Sequence, residues 1–155
     1  MTLDELWTQA YEGEIYGAAI FRAVAERQTD PVRRQEMELL SMLEQRTRDI
    51  AEPVLKARGL ATTGLAGNAE EAATSLAELP WEEFLGWLDK VTNEYLGIYC
   101  ELAATTVGDE QDVASAYVAH EQAIASYIRR VDGRETGEPL EAVTALPHMA
   151  GAVAV

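Results

Sequence analysis

Cysteine and histidine are scarce in this chain. Among its 155 residues there is one cysteine, Cys100, and there are two histidines, His120 and His148. A single cysteine excludes an intrachain disulfide bond and a cysteine-rich metal site. We therefore expect the protein to reside in the reducing environment of the cytoplasm.

Long apolar runs and positive charge are also lacking. No stretch is apolar for long enough to cross a bilayer, and the opening "MTLDELW" lacks the basic and apolar regions of a signal peptide. The 27 acidic residues outnumber the 12 basic ones, which gives a net charge of -15. This charge argues against nucleic acid or an anionic membrane as a partner, and it is typical of an acidic surface that maintains solubility.

Four long segments have the apolar spacing of helices. They cover about residues 3–27, 31–58, 80–105 and 109–131. Thr2 and Glu5 have the spacing of a capping box before the first segment. Asp30 and Pro31 are suited to start the second segment, and Gly59 is suited to end it. Because the links within each pair of segments are short, we predict an all-α fold built from two antiparallel helix hairpins.

The rest of the chain divides into a crossover and a tail. Residues 59–80 are long enough to join two hairpins side by side, and their second half predicts a short helix capped by Asn68. We therefore expect one four-helix domain over residues 1–133. The tail, residues 134–155, is rich in Gly, Pro and Ala. Leu140, Val143 and Leu146 are its candidates for docking onto the bundle.

The first helix carries a glutamate on its apolar stripe. Glu14 aligns with the small and apolar residues that recur every three or four positions along this helix. Glu44 occupies the same kind of position in the second helix. The short matches "EIYG" with "EYLG" and "LEQRT" with "HEQAI" add Glu94 in the third helix and Glu121 in the fourth.

These four glutamates lie at similar distances from the turns of their hairpins. Since a helix rises 1.5 Å per residue, we predict that they meet at one level in the middle of the bundle. Four buried carboxylates would repel one another and lose hydration. Two divalent cations would compensate for their charge, as in the di-iron and di-manganese carboxylate bundles.

With these features, residues 3–132 resemble the ferritin-like (rubrerythrin-like) superfamily. The family motif has one Glu on the first and third helices and Glu-x-x-His on the second and fourth. The resemblance implies that the four glutamates ligate iron or manganese, and that the activity is oxygen- or peroxide-linked redox chemistry. Both motif histidines are replaced, by Thr47 and Ile124. Sites with oxygen ligands alone suit manganese, magnesium or calcium better than iron.

His120 is the one histidine beside a motif glutamate. Since it directly precedes Glu121, it points about 100° around the helix from that residue. We expect His120 and Thr47 to be neighbours of the metal site. His120 could turn toward the metal only if the fourth helix is rotated or distorted. We expect instead a core histidine that is hydrogen-bonded to a carboxylate or to Tyr95 or Tyr99.

The alternative is a metal-free bundle that has lost the family chemistry. In it, Glu14 and Glu44 would pair with buried Arg or His or be protonated. Separately, Glu44 with Arg48 and Glu94 with Lys90 have the spacing of ordinary surface ion pairs. Such a bundle would serve as a structural module, bind a partner, or hold a small organic molecule where the metals were lost. In either case we expect a homodimer, because the helices carry extra apolar residues such as Ile15, Ile20, Leu39 and Leu43.

Overall fold

The computed structural model describes residues 1–152, and these residues form helices and loops without a β-strand. The six α-helices are α1 Leu3–Arg27, α2 Pro31–Ala57, α3 Ala69–Ala77, α4 Trp81–Thr105, α5 Gly108–Val131 and α6 Glu141–Thr144. A 3₁₀ turn, Pro147–Met149, follows α6. The all-α prediction is therefore confirmed. None of the helices described is both long enough and apolar enough to span a lipid bilayer.

The ends of the first two helices follow the capping signals in the sequence. Thr2 and Glu5 form both bonds of a capping box at the start of α1. The Asp30 carboxylate accepts a hydrogen bond from the Val32 N–H at the start of α2. After α2, Gly59 has a φ of 70°, a left-handed conformation that glycine adopts without strain. Of these caps, that of Asp30 adjoins the short link at residues 28–30, after which α2 runs back along α1.

Asn68 precedes α3 as predicted, but its side chain does not cap that helix. Its φ of -102° and ψ of 13° lie outside the extended region usual at this position. Instead, its side-chain oxygen accepts a hydrogen bond from the Tyr16 hydroxyl of α1. The capping prediction was therefore wrong, and Asn68 helps to fasten α3 to α1.

The four long helices surround two apolar clusters. α1 contacts α2 and α4, and α5 contacts the same two helices. One cluster joins the C-terminal halves of α1 and α5 to the N-terminal halves of α2 and α4, and the second joins the opposite halves. Between them lies a layer with buried polar side chains, which we call the polar layer: Glu14, Glu44, Thr47, Thr92, His120 and Glu121.

The apolar residues that suggested a homodimer serve the chain's own core. Ile20 and Leu43 are buried, and Ile15 and Leu39 are partly buried against the same apolar clusters. They do not form a surplus apolar surface. The homodimer thus remains a prediction without this support.

The tail docks onto the bundle over its described part. α6 packs on α5, and the 3₁₀ turn contacts α2. Val143 is fully buried, and Leu140 and Leu146 pack against the core beside it. The guanidinium of Arg46 donates hydrogen bonds to the backbone carbonyls of His148, at 3.1 Å, and Ala150, at 3.0 Å. The tail residues 153–155 lie outside the described residues.

Shortening Val143 tests whether the tail stabilises the bundle. We expect Val143→Ala to lower the free energy of unfolding by about 2 kcal/mol, because it removes buried methyl groups and leaves a cavity. Val107→Ala is the matched control, since Val107 is 82% exposed and should change stability by less than about 0.5 kcal/mol. Urea denaturation followed by circular dichroism measures both. Equal effects would show that the tail does not contribute to stability.

Candidate metal site

Three side chains from three helices converge in the polar layer. Glu14 of α1, Glu44 of α2 and His120 of α5 are all buried. His120 Nε2 lies 3.5 Å from Glu14 Oε2 and 3.4 Å from Glu44 Oε2. One ligand atom from each residue lies within 4.8 Å of the other two. This group could hold a metal ion.

Glu121 lies on the other side of the same imidazole. Its Oε2 is 3.7 Å from His120 Nδ1, and its side chain is only 8% exposed. Three of the four predicted carboxylates therefore lie around His120. Neither imidazole nitrogen has a hydrogen-bond partner among the described residues, and neither does Glu14 Oε2. Buried polar atoms of this kind are costly unless a ligand or ion satisfies them.

Glu94 does not belong to this group, and its prediction as a fourth mid-bundle carboxylate was wrong. Its side chain is 60% exposed and forms a loose 4.0 Å ion pair with Lys90. The reason is that α4 turns Tyr95 and Tyr99 toward α1, since burying an aromatic ring is favourable and burying a carboxylate is not. The alternative prediction of a surface pair is confirmed for Glu94.

For Glu44, in contrast, the prediction of a surface ion pair was wrong. Its predicted surface partner, Arg48, instead lies 3.3 Å from Asp49. Glu44 points inward, where Gly17 leaves room for it. A Cβ atom at position 17 would lie 2.6 Å from Glu44 Cδ and less than 3.0 Å from both carboxylate oxygens.

From α4, a phenol reaches the site in place of a carboxylate. The Tyr99 hydroxyl donates a 2.9 Å hydrogen bond to Glu14 Oε1. Burial, with Glu14 and Glu121 nearby, raises the pKa of Tyr99 well above its usual value. Tyr99 therefore remains a protonated donor, and it orients Glu14 so that Oε2 faces His120.

His120 enters the site without distortion of its helix. α5 is an uninterrupted α-helix, so of the two predicted ways to turn His120 inward, a rotated or a distorted helix, distortion is excluded. Near this level α5 is buried over a wide arc, as the six consecutive buried residues 123–128 show. Neighbouring His120 and Glu121 can then both face the interior. The apolar run "AIASYI" after them was the available signal.

A second imidazole approaches Thr47 from the tail. Thr47 is fully buried, and its hydroxyl donates a 2.8 Å hydrogen bond to the Leu43 carbonyl. Its oxygen lies 3.0 Å from His148 Nε2. Because the Thr47 proton is already engaged, the Nε2–H of His148 is the donor. Burial, with His120 and Arg46 nearby, lowers the pKa of His148, which favours the neutral imidazole.

The layer holds more negative charge than it can stabilise without compensation. Burial, with Glu44 and Glu121 nearby, raises the pKa of Glu14 well above its usual value. Burial raises the pKa of Glu121 to about 8, although His120 acts in the opposite direction. Burial alone would lower the pKa of His120, but Glu44 and Glu121 outweigh it and raise that pKa. Protons or a cation must therefore occupy this layer.

The donor set fits one divalent ion better than two. Two carboxylates and one imidazole are a mixed oxygen and nitrogen set, of the kind that transition metals accept. Three protein ligands leave positions open for water or substrate. The predicted arrangement with one carboxylate per helix is incomplete, because Glu94 is exposed.

Comparisons of the chain with protein-family models, with curated proteins and with solved structures found no match. The function is accordingly inferred from the geometry of the polar layer.

Gly17 and Gly97 end the matching motifs "EIYG" and "EYLG". Replacing each of them by alanine tests whether Glu44 packs against the bare backbone at position 17. A Cβ at Gly97 would meet nothing within 4 Å, so we expect Gly97→Ala to raise the free energy of unfolding by up to about 1 kcal/mol. Gly17→Ala should not raise the free energy of unfolding in this way, because the added Cβ would force Glu44 to move. Urea denaturation of metal-free protein measures both variants. Equal stabilisation would contradict the packing of Glu44 against Gly17.

The pKa shifts predict how the stability of the metal-free protein depends on pH. The pKa of Glu121 rises from 4.5 to about 8 on folding, so between these values the unfolded chain releases a proton that the folded protein retains. Stability should therefore fall as pH rises from about 4.5 to about 8. The raised pKa values of Glu14 and His120 act in the same direction.

Chelator-treated protein unfolded in urea at a series of pH values measures this dependence. Glu121→Gln should make it shallower, because the amide does not titrate. Exposed Glu94→Gln is the matched control and should leave the slope unchanged. A slope that Glu121→Gln does not alter would contradict the buried, proton-retaining state of Glu121.

Proposed function

We propose that this protein is a ferritin-like four-helix bundle that binds a single iron or manganese ion in its polar layer. Glu14, Glu44 and His120 are the ligands, and Glu121 lies beside them. Bound iron or manganese would supply the capacity to react with oxygen or peroxide, as the family resemblance implies.

One observation carries this proposal. A carboxylate oxygen of Glu14 and both nitrogens of His120 are buried without hydrogen-bond partners, and Glu44 Oε2 lies 3.4 Å from His120 Nε2. Leaving such groups unsatisfied costs on the order of 1–3 kcal/mol each. A divalent cation would bind Glu14 Oε2, Glu44 Oε2 and His120 Nε2 together and neutralise the two carboxylates, whereas His120 Nδ1 faces Glu121 on the other side of the ring.

The lengths of the links between helices support a ferritin-like bundle. α1 and α2 are joined by three residues and α4 and α5 by two, whereas a long crossover joins the pairs. The site departs from the family pattern in two ways. His120 supplies the imidazole from the position before the motif glutamate, and Tyr99 lies where Glu94 was predicted to lie. These changes are why we propose one metal ion.

The surrounding residues have separate roles in this proposal. Tyr99 holds Glu14 in its ligating orientation through the 2.9 Å hydrogen bond. Glu121 Oε2 lies 3.7 Å from Nδ1, the far nitrogen of His120, which is too long for a hydrogen bond, so Glu121 acts on the imidazole through its charge. Thr47 and the neutral His148 close the layer on the side of the tail.

A metal-free role is the second candidate, and the position of His120 favours it. A protonated His120 lies within 3.7 Å of three carboxylates, so one imidazolium and shared protons would also compensate for the charge. The protein would then be a ferritin-like bundle without redox chemistry, which binds an organic molecule or a partner.

Metal retention separates the two candidates. Protein purified without a metal-binding tag is loaded anaerobically with Fe(II) or Mn(II), desalted and analysed by elemental mass spectrometry. We expect about one equivalent of metal in the parent protein and at least tenfold less in Glu14→Gln, because an amide oxygen is a weaker ligand than a carboxylate. Glu94→Gln is the matched control and should retain the metal, since Glu94 is exposed.

Circular dichroism shows that each variant is folded. No retained metal in the folded parent protein would overturn the proposal in favour of the metal-free bundle. Two retained equivalents, both lost in Glu14→Gln, would contradict the single-ion site.

A further inference from the structure

A cavity of about 290 Å³ lies beside the polar layer. α1, α3 and α4 form most of its wall, with contributions from α2 and α5. Ala72 and Leu76 of α3 lie on one side, and Trp87 and Val91 of α4 lie on the other. The cavity is only partly enclosed, so small molecules can enter it from solvent.

α1 has glycine at two positions that line the cavity. Gly13 and Gly17 present backbone where most helices carry side chains. A Cβ at Gly13 would lie 2.6 Å from Tyr95 Cε1, so the Tyr95 ring lies directly on the helix backbone. Glu44 lies equally close to Gly17, so the two glycines allow Tyr95 and Glu44 to pack directly on α1 and form the cavity wall there.

Its size and walls define the body of a ligand. A dry cavity of about 150 Å³ binds benzene, so 290 Å³ accommodates about a dozen non-hydrogen atoms. The walls are mostly apolar and include the rings of Phe21, Trp87 and Tyr95. Such walls favour a flat apolar body that stacks on aromatic rings.

The polar residues that line the cavity indicate which polar group a ligand would carry. Glu44 and Glu121 of the polar layer both line the cavity, as does Tyr99. A carboxyl group accepts hydrogen bonds when it is ionised and, through its carbonyl oxygen, when it is protonated, so both acids favour a hydroxyl or N–H at the inner end of the ligand. The same acids disfavour an anionic ligand, and a bound divalent cation would disfavour a cationic one.

We propose that this cavity binds a neutral, mostly aromatic molecule of about a dozen non-hydrogen atoms, whose single hydrogen-bond donor faces Glu44 and Glu121. The cavity shares Glu44 with the proposed metal site, but none of its other lining residues is a proposed metal ligand. Its position places the donor end of the ligand beside Glu44, so binding at the metal site and in the cavity would be coupled.

Three probes of one shape test the chemistry of the cavity. 2-Naphthol has the body and the donor, naphthalene lacks the donor, and 2-naphthoate carries a negative charge. Titration calorimetry with chelator-treated full-length protein should show one site, tightest for 2-naphthol and weakest for 2-naphthoate. NMR spectra should show shifts of the Ile20 and Ile124 methyl groups, because both residues line the cavity.

Filling the cavity should block the binding. Val91→Phe adds a ring inside it, and we expect at least about tenfold weaker binding of 2-naphthol, which corresponds to about 1.4 kcal/mol. Lys90→Phe is the matched control on the exposed neighbouring position and should change the affinity less than about twofold. If Val91→Phe does not fold, Ala72→Phe fills the cavity from α3, and exposed Thr74→Phe is its control.

Failure of this inference differs from failure of the metal proposal. Absence of methyl shifts up to the solubility limit of 2-naphthol would overturn the cavity site, whatever metal the protein retains. Equal affinity for 2-naphthol and 2-naphthoate would overturn the proposed role of Glu44 and Glu121. Binding of 2-naphthol to a protein that retains no metal would leave the cavity site intact and reject only the metal ion.

Discussion

The buried negative charge of the polar layer must be compensated, and this requirement limits which side chains and ions can lie around it. Glu14, Glu44 and Glu121 lie between two apolar clusters, where carboxylates lose hydration and repel one another. His120 lies among all three. Whether protons or a cation balance this charge decides what the protein does. In the first case the layer is a proton-holding core, and in the second it is a metal centre.

The helices and part of the site could be predicted from the sequence, because both depend on local spacing. The capping residues fixed the starts of α1 and α2, and the apolar stripe of α1 predicted the inward position of Glu14. Glu94 could not be placed by the same reasoning, since neighbouring Tyr95 competes for the same helix face. Only the packing of α4 against α1 decides which of the two is buried.

The imidazoles were harder to predict, for two different reasons. His120 faces inward because α5 is covered on several sides, and helical periodicity alone assumes a single buried face. His148 reaches Thr47 across 101 positions of the chain, in a tail with no strong periodic signal. Contacts of this kind are set by the docking of Val143 and by Arg46.

α1 connects the metal proposal to the cavity. Its Glu14 enters the polar layer, its Gly17 makes room for Glu44, and its Gly13 supports the Tyr95 ring. Glu44 belongs to the polar layer and also lines the cavity. A metal ion bound on one side of this carboxylate would therefore change ligand binding on the other side. The small residues of α1 thus matter as much to the site as the charged ones.

Diffraction from crystals of the manganese-loaded protein, recorded for anomalous scattering of manganese, tests the central claim most directly. We expect one anomalous peak within the bundle, at coordination distance from Glu14 Oε2, Glu44 Oε2 and His120 Nε2. Peaks confined to surface carboxylates, with the three side chains in the positions described, would contradict it.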